Sequence, residues 1–273
     1  MAPALAIALA GILTAGSGLR AQEALELSSP DERNVVTVGV VEGSLVYALE
    51  RDGRKMLLPS RLGFEFRGTP PLYEGLEITG SERHASDEVW EQPWGEMARV
   101  RDLHNELRVS VAETGDPGRR FVVVFRAFDD GIAFRYELPE QPGLGEFEIM
   151  DELTEFHLAD DPKAWWIPAN DPTHRYELLY RSSPASTMPE VHTPLTLETL
   201  DGPVLVIHEA NLVDYAGMNL TGSWGRRLAV TLPAWADGVK VRGQTPFVTP
   251  WRTIQVADRA KDLAPSLIGL NLN

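Results

Sequence analysis

The stretch HRYELLY, His174 to Tyr180, sets one carboxylate among rings and aliphatic side chains. Read as a strand, its alternation puts Tyr176, Leu178 and Tyr180 on one face and Arg175, Glu177 and Leu179 on the other. Two readings of Glu177 stay open at this level: an ordinary solvated acid, or an oxygen ligand aimed at something. Other acids are plentiful. With 40 Asp and Glu residues, pairs such as those in DELTEF (151–156) and HEANLVDY (208–215) are easy to find. Most such side chains solvate a strand face or cap a turn, so no pair is nominated for acid–base catalysis. The six histidines (84, 104, 157, 174, 192 and 208) lie singly. No i, i+2 or i, i+4 pair exists, which argues against zinc and against a catalytic imidazole. Nucleophile-elbow, phosphate-loop, HExxH and dinucleotide motifs are absent. The lack of cysteine removes disulfides, thiolate metal sites and cysteine nucleophiles.

Aromatic residues offer a different chemistry. Trp165-Trp166 suits stacking against the apolar face of a sugar, or fills the sandwich core as a large side chain does. Adjacent strand residues point opposite ways, so at most one indole faces a given pocket. Trp90, Trp94, Trp224, Trp235 and Trp251 read as structural, since tryptophan fills sandwich cores well.

The elements that must hold these residues are strands. NVVTVGVVEGSLVYALERDGRKMLL (34–58) gives two hairpins, turning at Glu42-Gly43 and Asp52-Gly53. RLGFEFRG adds a short strand. LHNELRVSVAE (103–113) alternates cleanly, with Leu103, Asn105, Leu107, Val109 and Val111 facing one way and His104, Glu106, Arg108 and Ser110 the other. RRFVVVFRAFDDGIAFRYEL (119–138) is a hairpin around Asp129-Asp130-Gly131. Further strands are expected at 153–158, 174–180, 203–208, 226–232 and 251–256. Helical periodicity is nowhere sustained, and 23 Gly and 20 Pro break the chain into short runs. Many short strands with turn signals predict an all-β antiparallel sandwich, with wide sheets and few or no long helices. The apolar terminus DLAPSLIGLNLN must pack against something or continue into something.

The net charge of −15 repels phosphate backbones and anionic lipid, so nucleic acid and membrane are not expected partners. Neutral sugars and cations remain compatible. The N-terminal MAPALAIALAGILTAGSGLRA reads as a signal peptide over 1–21, although it lacks a basic start. Its apolar run is too short to span a membrane. Export to the periplasm or the medium is therefore expected, with one domain over 22–273.

Eight phrases in order carry a resemblance: WGEMARVRDLHNEL (94–107), FRAFDDGIAFRYELP (125–139), DELTEF (151–156), RYELLY (175–180), HTPLTLE (192–198), HEANLVDYAGMNL (208–220), TPWRTIQVAD (249–258) and LIGLNLN (267–273). Together they resemble the N-terminal domain of glycoside hydrolase family 97, a family of exported bacterial α-glucosidases and α-galactosidases. The resemblance implies a galactose mutarotase-like β-super-sandwich that caps a (β/α)8 barrel, with the catalytic carboxylates on that barrel. It implies that Glu177 supplies one ligand to a calcium ion shared with the barrel. It also implies that Thr193, Pro194 and Leu195 approach an α-linked oligosaccharide. On this reading the catalytic domain is a partner in cis or in trans, and the chain is inactive alone. A free-standing carbohydrate-binding sandwich is the alternative, and a structural remnant without ligand or partner is a third reading.

Overall fold

A computed structural model describes residues 24–169, 176–223 and 225–273. The expected export segment 1–21, together with His174, Arg175 and Trp224, lies outside the described residues.

The first hairpins form where the acidic-Gly steps predict them. Glu42 (φ 51°) and Gly43 (φ 78°) turn the chain in the first, and Asp52 (φ 51°) and Gly53 (φ 74°) repeat the geometry in the second. Positive φ at both central residues matches the right-handed twist of the flanking strands. In chain order the strands are β1 (Leu25–Ser28), β2 (Asn34–Val41), β3 (Ser44–Arg51), β4 (Arg54–Arg61), β5 (Phe64–Phe66), β6 (Leu76–Glu91) and β7 (Arg99–Glu113). They continue as β8 (Arg120–Phe128), β9 (Gly131–Leu138), β10 (Glu146–Glu152), β11 (Glu155–Leu158), β12 (Lys163–Trp166), β13 (Arg181–Pro184) and β14 (Val191–His192). The last are β15 (Leu195–Glu198), β16 (Val204–Ala210), β17 (Asn219–Ser223), β18 (Arg227–Thr231), β19 (Val241–Gln244), β20 (Phe247–Val248) and β21 (Trp251–Ala257). A single short helix, α1 (Ile268–Leu272), closes the described chain.

Every strand pairing among the described residues is antiparallel. One sheet has eight strands in the order β1-β2-β3-β4-β11-β18-β17-β14. A ten-stranded sheet runs β13-β12-β15-β16-β21-β9-β8-β7-β6, with β20 on β9, and β19-β10-β5 forms a small third sheet. Leu45, Tyr47 and Leu49 of the first sheet share one buried core with Phe121, Phe125, Phe134 and Tyr136 of the second. The Tyr47 ring lies 4.9 Å from that of Phe134, in a tilted arrangement that suits the aromatic quadrupoles. The expected all-β sandwich is therefore present.

Three expectations need correction. Residues 176–180 form no strand. The amide of Leu178 donates to the Tyr176 carbonyl at 2.8 Å, a bond two residues back that contracts the chain and cannot coexist with an extended ladder. On the outward face of β7, His104 and Glu106 are buried. A second cluster covers the outer side of the large sheet, where Ile268 and Leu272 of α1 pack with Trp251, Val124 and Phe128. The apolar terminus thus finds its packing within the chain. Trp251 is structural as expected, but Trp94 and Trp235 are 82% and 66% exposed. Glu152, read as a solvated or capping acid, is fully buried, because Arg252 from β21 neutralises it.

At the far side of the large sheet, β6 is an edge strand. Its sixteen residues are exposed on both faces for most of their length. They include Glu77, Glu82, Arg83, Asp87, Glu88 and Glu91.

Candidate functional site

Two stretches of chain cross from one large sheet to the other, and a cleft opens between them. The first crossing links β14 to β15 through Thr193 and Pro194, joined by a cis peptide bond. The second runs from the end of β16 to the start of β17, residues 211–218, with Asn211 and Asp214 at positive φ. The cleft has a volume of about 560 Å3 and is walled by Tyr176, His192, Thr193, Pro194, His208, Glu209, Gly217, Met218 and Asn219, with Ala169 and Pro233 at its margin.

Side-chain hydrogen bonds tie the two crossings together. Thr193 Oγ1 donates to the Met218 carbonyl at 3.2 Å and lies 3.1 Å from His208 Nδ1. The Tyr176 hydroxyl donates to the Thr193 carbonyl at 2.6 Å, and its ring lies 4.7 Å from that of His192. His192 Nδ1 lies 3.0 Å from Asn219 Oδ1. Beneath them Glu209 accepts from the Met218 amide at 2.9 Å and from Arg252 Nη1 at 2.6 Å.

That arginine carries a charge into the core. Arg252 is fully buried and clasps Glu152 through Nε at 2.9 Å and Nη2 at 2.5 Å. Tyr215 donates its hydroxyl to Glu152, and Thr154 does the same. Tyr136 in turn bonds to Thr154 Oγ1 at 2.7 Å. Burial alone would raise the Glu152 carboxyl, but the Arg252 charge and these hydrogen bonds outweigh it and hold the acid below its ordinary range. Burial pushes the Tyr215 hydroxyl well above its ordinary value, so it stays a donor. A bidentate pair with every remaining lone pair engaged is the geometry that lets two buried charges persist. The floor of the cleft is therefore anchored to the core through Glu209.

The expected site residues fall in different settings. Glu177 is exposed, and among the described residues it makes no hydrogen bond or ion pair. Its neighbour Tyr176 is fixed to the cleft wall, so the carboxylate projects from a tethered segment and not from a strand. Pro194 is half-buried in the wall. Thr193 is buried, and its hydroxyl and carbonyl are both occupied by protein partners. Leu195 is fully buried in the main core and supports the wall from beneath without lining the cleft. The sequence reading passed over His192, His208 and Glu209 as site residues. The HTP and HEA phrases hold the signal: His192 ends β14 just before the first crossing, and His208 lies in β16 shortly before the second.

Replacing Thr193 by Val leaves the Met218 carbonyl without its donor and the His208 ring without its partner. We expect a loss of about 1–3 kcal/mol of stability in urea unfolding. A change below about 0.5 kcal/mol would mean the hydroxyl is idle.

Trp165 is 39% exposed while Trp166 is buried, as alternation requires. The exposed indole is not a free platform, however. Lys163 Nζ lies 3.9 Å from the ring centroid, and the indole N–H donates to Glu198. No group of three or more His, Asp or Glu side chains among the described residues is arranged to hold a metal ion. Glu177 offers at most two oxygens, against the six to eight that calcium takes. The described chain fits calcium only as one wall of a cage.

Comparison with known proteins agrees with this architecture. The family described as Glycosyl-hydrolase 97 N-terminal matches residues 27–273. A probable retaining alpha-galactosidase of Streptomyces bingchenggensis is 32% identical over 254 residues, covering 88% of this chain and 37% of that protein. The structure of a glycoside hydrolase family 97 enzyme from Pseudoalteromonas sp. strain K8, in complex with acarbose, is 40% identical with a TM-score of 0.88. That match covers 91% of this chain and 38% of the other. A beta-arabinopyranosidase crystal structure is 26% identical with a TM-score of 0.78, covering 86% of this chain and 40% of that one. The chain thus spans about two fifths of the length of the relatives it matches.

Proposed function

Because the chain belongs to the glycosyl-hydrolase 97 N-terminal family, we propose that it is the β-sandwich module of an exported α-glycoside hydrolase. It seats against a (β/α)8 catalytic domain, in cis or in trans, and the cleft between its two sheet crossings faces the sugar. The catalytic carboxylates belong to that second domain, whose active site opens at the C-terminal ends of its strands. Glu177 reaches across the junction as one calcium ligand. The relatives' names put α-galactosides among the substrates, and the acarbose complex adds oligosaccharide mimics.

The observation that carries this reading is the state of Glu177: an exposed carboxylate, unpaired among the described residues, beside a wall that Tyr176 fixes. An unpaired acid on a tethered segment loses little by gaining a cation. Calcium, when bound, supplies positive charge near the glycosidic oxygen. The chain's own contribution is positional. It holds one oxygen ligand, closes one side of the sugar site and excludes water from it.

The test is calorimetric and enzymatic. The 273-residue chain alone is expected to bind calcium no tighter than millimolar and to leave aryl α-galactosides and α-glucosides intact. Mixed with a separately expressed family 97 (β/α)8 domain, it is expected to form a complex that binds calcium more tightly. Glu177→Gln is expected to weaken that binding at least about tenfold, the effect of losing a metal-site partner. Turnover by the chain alone, or calcium binding in the complex that ignores Glu177, refutes the proposal.

A further inference from the structure

The hydrogen bonds around the cleft fix which ring nitrogen of each histidine carries the proton. Thr193 Oγ1 has one hydrogen, and it is donated to the Met218 carbonyl. Towards His208 Nδ1, at 3.1 Å, that oxygen is left only as an acceptor, so Nδ1 must hold the N–H. The same logic applies to His192. Asn219 donates through Nδ2 to Glu190 at 3.2 Å, and its Oδ1 faces His192 Nδ1 at 3.0 Å. An amide oxygen only accepts, so His192 also carries its proton on Nδ1. In a neutral ring the other nitrogen, Nε2, is then a bare lone pair. Neither Nε2 has a protein partner among the described residues, and both rings line one cleft.

We infer that His192 and His208 form a pair of hydrogen-bond acceptors for hydroxyl groups of a sugar bound in this cleft. The identity of the ligand rests on the glycoside reading above; the tautomers do not. Two acceptors on the wall of one cleft suit a ligand that carries several hydroxyl donors, as a pyranose ring does and an anion does not. Pro194 and Pro233 give the apolar surface that the C–H face of such a ring needs, with Met218 buried behind them. Burial lowers the His208 imidazole below its ordinary value, more than the nearby Glu209 charge raises it, so the ring is neutral at neutral pH. Metal capture by the pair is disfavoured, because Glu209 spends both oxygens on Arg252 and the Met218 amide. No third ligand joins them among the described residues.

The experiment is long-range 1H–15N correlation on the full chain with 15N-labelled histidine at neutral pH. Both rings are expected to show a protonated Nδ1 and an unprotonated Nε2, the reverse of the tautomer that free imidazole side chains favour. Methyl α-galactoside or methyl α-glucoside, added up to its solubility limit, is then expected to move both Nε2 resonances saturably. His208→Asn can still donate to Thr193 but lacks the second nitrogen. It is expected to bind the glycoside about fivefold more weakly, the worth of one hydrogen bond. A protonated Nε2 on either ring overturns the inference, and so does a glycoside titration that moves neither resonance. Failure to associate with a (β/α)8 domain leaves these resonances unchanged and counts only against the earlier proposal.

Discussion

Arg252→Met is expected to destabilise the fold by about 3–5 kcal/mol, the cost of leaving a buried charge without its partner. Arg252 and Glu152 are both fully buried, and Glu209 is nearly so. Methionine roughly fills the volume of the arginine stem, so the loss reports chiefly the missing guanidinium, and the double variant separates its charge from the space it leaves. Urea unfolding read by tryptophan fluorescence measures it as a fall in midpoint at constant slope. The double variant Arg252→Met/Glu152→Leu is expected to be more stable than Arg252→Met alone, because it removes the stranded carboxylate too. If the double variant falls further, the pair is not acting as an ion pair. Arg252→Lys is also expected to be poor, since an ammonium cannot serve Glu152 through two parallel bonds and reach Glu209 as well.

Gly131→Ala is the second large effect, roughly 2–5 kcal/mol by the same measurement. Gly131 opens β9 with φ 150°, and a methyl group there would meet the Ile254 carbonyl oxygen at 2.3 Å and the Gln255 Cα at 2.8 Å. Both atoms belong to the backbone of β21, the next strand of the sheet, so neither can move aside cheaply. Gly53→Ala is the internal control. Its φ is 74° and nothing lies within 4 Å of the added carbon. It is expected to lose only about 1–2 kcal/mol, the left-handed backbone cost. Equal losses at the two glycines would show that conformation, and not the approach of β21, sets the requirement at Gly131.

Gly131 also shows what was legible in the sequence. The Asp-Asp-Gly step between two alternating runs pointed to the β8–β9 hairpin, and Phe121, Val123 and Phe125 with Ile132, Phe134 and Tyr136 all face the core. Such signals are local: a turn residue and a period of two lie within twenty residues of each other. The contraction at Tyr176 was not legible, because its partner is the Thr193 carbonyl, which no alternation pattern registers. The burial of Glu152 was hidden for a related reason. Its charge is neutralised by a residue 100 positions away, and a carboxylate in an alternating run looks the same whether that partner exists or not. Glu177 stood out on composition and resemblance, and the structure leaves it exposed. His192 and His208 were discounted for being isolated in sequence. Each gains its significance from a sheet crossing that brings them to one cleft.

The long rim strand β6 has a consequence for how the molecule behaves among its own copies. A sheet nine strands across ends in a row of backbone groups that invites a stranger's strand to continue it. Here that row carries Glu77, Glu82, Asp87, Glu88 and Glu91, with Arg83 as its single arginine. Asp87 and Glu91 are held by Arg101 and Arg99 of β7, but the acids still outnumber the cations along the rim, so a second copy arriving there faces the cost of bringing charged side chains together and the edge is a poor template for growth.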